Sequence, residues 1–550
     1  MGVDNYVSDD RFDPYFVSAH NARFDEVVFN RCVTMGLIPD RMRPKQWSCT
    51  ADLAVYNSLP RTLAGASFAA FGFEMDKKVR AQMEDLTYEQ AKAQGMEQAL
   101  IEYAITDARL CYKLWDTFGE SWPSSEQALS RLNRDQSVGG VAVDTDRLVG
   151  YIDHLKLVKW EAEKHIPWEW SKLKTPLSPK ALRATCRAAG IAAPASLAQD
   201  SSECLAWENE FGSRFPFVAA MRNWRRANML LKKLETIHQR VREDGRMPYA
   251  IKYYGAEVTG RFSGGGGFNM QNMLRSPLLF EPIEVGGNLP EVAVDLRACF
   301  IPAPGKMFLP ADLSQIEARV LLHLAGDTTT LAQVAAGHSV YEAHAINTMG
   351  WDPSKKMDKA SMEYLLAKAR VLALGFGCGA ARFIEMAFLY TGLVITEKDS
   401  LRIVKDYRAS NPCVTALWNR LHMWMGWSVG ETLELDLPSG RSLSYYDVSL
   451  DEHRQLTAEI VRTQRRETFY GGKLAQNITQ ATARDVFGEG MLALADAGIP
   501  PVFHVHDEYV LEVDADFNPS DALELVSRTP DWLEGCPIGA AGKLVPCYGK

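Results

Sequence analysis

Cysteine is sparse and unpatterned: ten in 550 residues, none in a Cys-x-x-Cys pair. That argues against a zinc ribbon or a disulfide framework. Long apolar runs are missing. The longest uncharged apolar stretch, Val371 to Ala381, is too short to cross a bilayer. The first ten residues, MGVDNYVSDD, have no basic start and no apolar run, so no secretory signal is expected. There is no internal repeat and no long low-complexity segment, only one biased patch, Ser263-Gly264-Gly265-Gly266-Gly267. These absences leave an intracellular, reduced, soluble protein with no membrane association as the expectation. The composition is ordinary for a globular chain, 47% hydrophobic and 23% charged. At 550 residues it is too long for one core, and about three or four domains are expected.

Positive charge is also short. Sixty Lys and Arg face 69 Asp and Glu, a net charge of −9, which by itself does not favour a nucleic-acid partner. The distribution is uneven. Residues 1–120 carry 13 basic and 18 acidic side chains. Between Met221 and Arg246, eight basic residues (Arg222, Arg225, Arg226, Lys232, Lys233, Arg240, Arg242, Arg246) meet only Glu235, Glu243 and Asp244. Such a stripe can follow a phosphate backbone even on an acidic protein; it also fits a solvated helix face. Short apolar runs and helical patterns alternate over the first 120 residues, helical periodicity dominates to about 250, and strand-like pieces then mix with long helices. The class is α+β, multidomain, and not a regular βαβ repeat.

Three segments carry chemistry. In the first, Ala311-Asp312-Leu313-Ser314-Gln315-Ile316-Glu317, an apolar strand runs into Asp312 and a helix follows. Ser314 and Glu317 have capping-box spacing, or Glu317 faces a ligand instead. Pro310 calls for a bulge or a strand edge. Asp312 is placed to hold a metal over a cleft or to cap the helix. In the second, His504 to Val513, apolar alternation flanks His506-Asp507 and predicts a hairpin with the charged pair at its tip; a plain surface turn has the same residues. Asp312 and Asp507 are 195 residues apart. Brought together, they suit two Mg²⁺ ions about 3.5–4 Å apart. In the third, Lys368, Leu372 and Phe376 recur at every fourth position of a predicted helix, Met362 to Phe376. One face then offers a cation, an apolar wall and an aromatic plate, as a nucleotide requires. An amphipathic core helix with a snorkelling lysine reads the same way.

Taken together and in this order, the three segments resemble motifs A, B and C of the family A DNA polymerases, the group of bacterial DNA polymerase I and many phage replicases. The likeness is good over residues 251–550 and weaker towards the N-terminus. Thr259-Gly260-Arg261-Phe262-Ser263 with Asn269-Met270-Gln271-Asn272 resembles the family's segment at the primer–template minor groove, and Gln480 its primer-side glutamine. The glycine run looks closer to phage members. The resemblance implies a right-hand fold preceded by an α/β, ribonuclease H-like exonuclease domain. The expected division is an exonuclease-like domain at 1–120, thumb and connecting helices at 121–250, palm at 251–320, fingers at 321–430 and palm again at 431–550. The basic stripe would face duplex phosphates from the thumb.

The implied activity is template-directed DNA synthesis in replication, with primer–template DNA and deoxynucleoside triphosphates as partners and two Mg²⁺ as cofactors. Asp312, Asp507 and the Leu313 carbonyl would hold the metals. Lys368 would neutralise the triphosphate and protonate the departing pyrophosphate. Gln315, Glu317, Tyr341, Leu372 and Phe376 would complete the nucleotide site, Glu317 excluding a 2′-hydroxyl and Phe376 stacking beside a base. Arg261, Asn269, Gln271, Gly377, Gln480 and His506 would hold primer and template. A monomer is expected, in the cytoplasm of a bacterial host if the source is a phage; no processivity partner is legible.

The sequence departs from the family in places. Leu313 stands where an aromatic residue is usual, and Tyr364 where an arginine precedes the motif B lysine; Arg370, Lys359 and Lys356 are candidates for the missing charge. Leu372 occupies the position that governs dideoxynucleotide use, so some discrimination against terminators is expected. Near the N-terminus, Asp25 and the pair Tyr103 and Asp107 resemble the second and third motifs of a proofreading exonuclease, with the aspartates as metal ligands and Tyr103 orienting water. The first motif, Asp-x-Glu, is not found upstream among Asp4, Asp9, Asp10 and Asp13, so a truncated domain with little or no proofreading is expected. Two competing readings share the residues: a single-subunit RNA polymerase, against which Glu317 argues, and a catalytically decayed DNA-binding scaffold.

Overall fold

The computed structural model describes residues 16–75, 78–82, 86–170, 175–197, 201–283, 289–461 and 465–549. Asp4, Asp9, Asp10 and Asp13 lie outside them.

At the centre is a four-stranded antiparallel sheet. Its order is Pro501–Val505, Glu508–Asp514, Lys306–Leu313, Ala540–Gly542. The inner strands are apolar because both faces are covered: Phe308, Leu309, Ala311, Leu313, Tyr509, Val510 and Leu511 are fully buried. The long helix Gly471–Asp496 lies on one face. Phe487 stacks on Tyr509 at 4.2 Å, nearly parallel, and the Tyr509 hydroxyl donates to the Phe487 carbonyl. Gly490 allows this approach, since a Cβ there would lie 2.3 Å from the Tyr509 hydroxyl.

Pro310 is neither bulged nor at an edge. The strand Lys306–Leu313 pairs in unbroken register with Glu508–Asp514, Pro310 opposite Val510. Its missing donor is tolerated because no ladder pair is formed with the neighbouring strand at that position. The neighbouring strand pairs only as far as Gly542 with Ala311, and the next contact is the isolated Phe308–Val545 bridge.

Residues Thr145–Lys164 and Pro216–Arg240 form an antiparallel helical pair. Asp144 caps the first through the Arg147 N–H, and Pro216 opens the second. The basic stripe lies on this second helix and its exit. Much of it is engaged within the chain. Arg225 and Arg226 share the buried carboxylate of Glu208, Arg240 donates to the Gly266 carbonyl, and Arg242 and Arg246 hold the carbonyls of Val138, Gly139 and Gly140. Lys232 remains exposed.

From 316 to 427 the chain is a succession of helices joined by loops. Met362–Ala369, capped by Ser361, passes into a π-helical turn, Arg370–Leu374. The wider turn breaks the fourfold spacing read from sequence: Leu372 packs beside Tyr341, whereas Phe376 packs in a separate cluster with Trp418. Helices Ala380–Thr391, Glu397–Ser410 and Pro412–Trp427 follow. A second antiparallel sheet, Leu433–Asp436, Ser442–Leu450, Leu456–Glu459 and Arg466–Thr468, packs its inner face on the last of these.

The N-terminal part pairs Phe16–Ala19 in parallel with Gln46–Cys49, flanked by Ala22–Thr34 and Glu97–Phe118. It is joined firmly to the rest. Arg134 reaches Glu26 at 2.8 Å and the Trp47 carbonyl at 3.2 Å, Ser130 donates to Asp52 at 2.7 Å, and Arg61 donates to the Tyr253 carbonyl.

Candidate active site

Strand pairing brings the two acidic segments together. Asp312 lies opposite Glu508, and the Leu313 N–H donates to the Asp507 carbonyl at 3.0 Å. Directly opposed residues point to one face of a sheet, so Asp312 and Glu508 share a surface with Asp507 at the hairpin tip. Asp312 is open to solvent at its outer edge but set into the cleft wall. Burial, then Asp507 and Glu508, raise its pKa to about 7. Asp507 is likewise raised, chiefly by burial. Arg275 and Arg261 oppose these shifts only in part. A cleft that crowds carboxylates without matching cations is suited to bind positive charge.

No cluster of three or more His, Cys, Asp or Glu among the described residues forms a ready-made metal cage. The donor set nevertheless fits magnesium. That ion is commonly held by one or two carboxylates with substrate phosphates completing the shell, and here Asp312 and Asp507 face open space with Glu508 behind them. Glu508 is tied back by the Tyr548 hydroxyl at 2.6 Å.

The hairpin tip is His506-Asp507, as the alternation predicts. His506 has φ 56°, a left-handed conformation uncommon outside glycine and found where a site demands it. Behind it, His504 is buried between Gln271 and Asn133, and burial pushes its pKa down to about 3. It is a neutral spacer.

Arg261, Glu317, Gln480, His506 and Asp507 line one small cavity of about 60 Å³. Arg261 donates to Glu317 at 2.9 Å, and Gln480 also hydrogen-bonds Glu317. The capping box proposed for Ser314 and Glu317 is therefore not formed. The helix starts at Ile316 behind Gln315, whose φ is 56°, and the Ser314 N–H donates to Gly539 in the neighbouring strand. The ladder itself ends at Leu313, and this one backbone bond beyond it holds Ser314 where a cap would be needed.

Other predicted residues are placed less directly. The Gln315 side chain accepts from the Val340 N–H at 2.8 Å, starting the helix that carries Tyr341. Tyr341 is buried edge-on against Tyr364, and its pKa is pushed up to about 12 by burial, Tyr364, Asp507 and Asp312. Asn269 accepts from the Gln271 N–H, and Gln271 is buried; both shape the loop under His506. Lys368, Leu372, Phe376 and Gly377 are half-buried. Arg370 is buried, with its guanidinium over the Tyr407 ring and a hydrogen bond to Ser410. Lys356 and Lys359 are exposed in the preceding loop. Asp25 and Asp107 both lie near the Cys111 thiol, whose pKa rises through burial first and then through these carboxylates.

Sequence reading missed a buried ionic lattice behind the site. Arg484 reaches Glu126 and the Gly260 carbonyl; Arg441 holds Asp485 and the carbonyls of Thr259 and Ala481. The loop bearing Arg261 is thus fastened to the helix bearing Gln480. The only local signal was the charged pair Arg484-Asp485 within an otherwise small-residue stretch.

The sequence pattern of DNA polymerase family A matches residues 199–528. The chain is 28% identical to the DNA polymerase of Bacillus phage SP02 over 97% of its own length and 89% of the relative's. It is 27% identical to the thermostable DNA polymerase I of Thermus aquaticus over 50% of its length, spanning about 28% of that relative. In fold it is similar to the POL domain of Pol1 from M. smegmatis, solved with DNA primer–template and dNTP, with a TM-score of 0.65 and 17% identity over 96% of this chain and 85% of that one. The chain belongs to DNA polymerase family A: it is a DNA-directed DNA polymerase with a right-hand fold.

Proposed function

We propose that this enzyme extends a primer 3′-hydroxyl by nucleotidyl transfer assisted by two divalent cations, magnesium being the natural choice, with Asp312 and Asp507 as their protein ligands and the Leu313 carbonyl as a further one. The observation that carries this reading is the crowding of Asp312, Asp507 and Glu508 on one sheet surface without matching positive charge. When bound, the cations would acidify the 3′-hydroxyl and neutralise the triphosphate. The chain's own residues then do the positioning, which accounts for most of the rate in phosphoryl transfer. Arg261 and Gln480, locked through Glu317, present donors to the minor-groove side of the primer terminus, where all base pairs offer acceptors. Glu317 and Tyr341 close the sugar's 2′ side. Lys368 binds the triphosphate and donates a proton to pyrophosphate. Leu372 and Phe376 wall the nucleotide and the templating base.

In this reading the four-stranded central sheet is the palm, the segment 321–430 the fingers, and the helical pair Thr145–Lys164 and Pro216–Arg240 the thumb. Its exposed Lys232, more than the internally paired arginines, faces DNA. The substrates are primer–template DNA and deoxynucleoside triphosphates, and the enzyme acts as a monomer. Primer extension with Mg²⁺ tests the reading: wild type extends with dNTPs and not NTPs, and Asp312→Ala does not extend. Equal activity in the variant would remove the metal assignment, and preference for NTPs would favour an RNA polymerase.

The N-terminal part is an exonuclease-like domain with a mainly structural role. Asp25 and Asp107 supply two carboxylates among the described residues, fewer than efficient two-metal hydrolysis uses, and Arg134, through Glu26, and Arg61, through the Tyr253 carbonyl, bind the domain to the body. Release of a mismatched 3′ nucleotide is expected to be slow and unchanged in Asp25→Ala; rapid release lost in that variant would show a working proofreading site.

A further inference from the structure

The segment after the strand Ala540–Gly542 carries no sequence motif, yet it returns to the acidic hairpin. Val545 exchanges two backbone hydrogen bonds with Phe308 of the central sheet, at 2.8 and 2.9 Å. Three residues later the Tyr548 N–H donates to the Phe300 carbonyl at 3.0 Å. Phe300 belongs to the short strand paired with Val141–Val143, just before the helix Thr145–Lys164. The segment is therefore strapped across two sheets. Gly549 lies so close beneath it that a Cβ there would be 2.6 Å from the Ala298 side chain and 2.7 Å from Asp295.

The strap fixes one side chain. Tyr548 is buried. Phe503 meets its ring edge-on at 4.9 Å, and the Arg297 guanidinium lies 4.9 Å from the ring centre. With main chain and ring both held, the hydroxyl has one place to be. It lies 2.6 Å from a Glu508 carboxylate oxygen and 3.2 Å from an Arg297 nitrogen. A guanidinium only donates, so the hydroxyl accepts from Arg297 and gives its single proton to Glu508. A hydroxyl–carboxylate bond of this length is charge-assisted, about twice as strong as a neutral one.

Glu508 is the side chain such a bond restrains. It stands opposite Asp312 in the ladder and follows Asp507 in the chain, so the backbone alone brings three carboxylates to one surface. Their side chains do not converge: no three acidic groups among the described residues form a metal cage. A glutamate without a tether could swing towards a cation held by Asp312 and Asp507. As a third ligand it would fill a coordination position and cancel charge that substrate phosphates need. Magnesium at such sites is commonly held by one or two carboxylates, with phosphates completing the shell.

We propose that Tyr548 is a positioning residue: it draws Glu508 back from the cation site, so that Asp312 and Asp507 ligate the ion and coordination positions stay open for the triphosphate. This rests on the assignment of Asp312 and Asp507 as the cation ligands. The test is direct titration with Mn²⁺ in the absence of nucleotide, read by electron paramagnetic resonance, beside steady-state primer extension. Tyr548→Phe keeps the packed ring and removes only the hydroxyl. It should bind Mn²⁺ about tenfold more tightly than wild type, for one added carboxylate ligand. Its KM for dNTP should rise about tenfold, with kcat changing less. Both changes should vanish when Tyr548→Phe is made in a Glu508→Ala background, since a residue acting through Glu508 then has nothing to act on. A merely structural role would lower the melting temperature and act equally in both backgrounds. Unchanged or weaker Mn²⁺ binding in Tyr548→Phe, or changes that persist without Glu508, would overturn the proposal. Asp312→Ala separates the two levels. If it abolishes Mn²⁺ binding while Tyr548→Phe has no effect, only the tether falls; if it binds Mn²⁺ as wild type does, the cation assignment fails and the tether with it.

Discussion

Two groups of charged side chains meet at one small cavity, lined by both Arg484 and Asp507, and they behave oppositely. Around Arg441 and Arg484, each buried cation faces a carboxylate and backbone carbonyls, and Glu126 is held below the usual carboxylate range because Arg484 and Arg441 outweigh its burial. At the hairpin tip, Asp312 and Asp507 crowd together with only partial compensation, and both are raised. Charge matched inside the protein builds structure. Charge left unmatched beside open space is reserved for something that arrives later.

Removing a member of each group should therefore give opposite results. Asp507→Asn should reduce primer extension by at least about a thousandfold, while the metal-free protein melts at a higher temperature because a repulsion has gone. A lower melting temperature would mean that Asp507 is structural. Arg484→Met leaves Glu126 without its main partner in a buried place. Breaking such a pair costs about 3–5 kcal/mol, readable in urea unfolding, and a loss below about 1 kcal/mol would erase the distinction between the two groups.

The contrast can be sharpened with pH. Asp312 binds its proton more tightly folded than unfolded, since its pKa is raised to about 7. Its contribution to stability is present at acid pH and is lost as pH rises through about 7. A bound cation offsets the repulsion that then appears. The rise in melting temperature on adding Mg²⁺ should thus be larger at pH 8 than at pH 6, and a rise independent of pH would place the cation elsewhere. The smallest effect concerns the apolar wall. Wild type should use dideoxynucleotides less efficiently than deoxynucleotides by about tenfold, and Leu372→Tyr should narrow the gap. Equal use by the wild type would deny Leu372 that role.

The acidic pair was legible because each aspartate stands at the end of an apolar strand, a local pattern that survives without knowledge of the partner. The ionic lattice was not: Glu126 and Arg484 are 358 residues apart, and neither lies in a pattern that names the other. The capping box failed for a tertiary reason, since the Ser314 N–H is bound to the Gly539 carbonyl and the helix begins only at Ile316. The pairing of Arg225 and Arg226 within the stripe was not legible, because net charge along a helix does not reveal Glu208 buried beneath it. The π-turn after Ala369 depends on hydrogen-bond register, which side-chain periodicity does not encode, so Leu372 and Phe376 were assigned to one face when they pack in two clusters.

The pairing of Asp312 with Glu508 has a kinetic corollary. Side chains alternate along a strand, so a slip of one position would send Asp312 through to the core and Leu313 out to the cleft. Misregistered chains could be compact and helical yet unable to load a cation. Recovery of ion binding during refolding would therefore time the locking of this ladder, and not the collapse that precedes it.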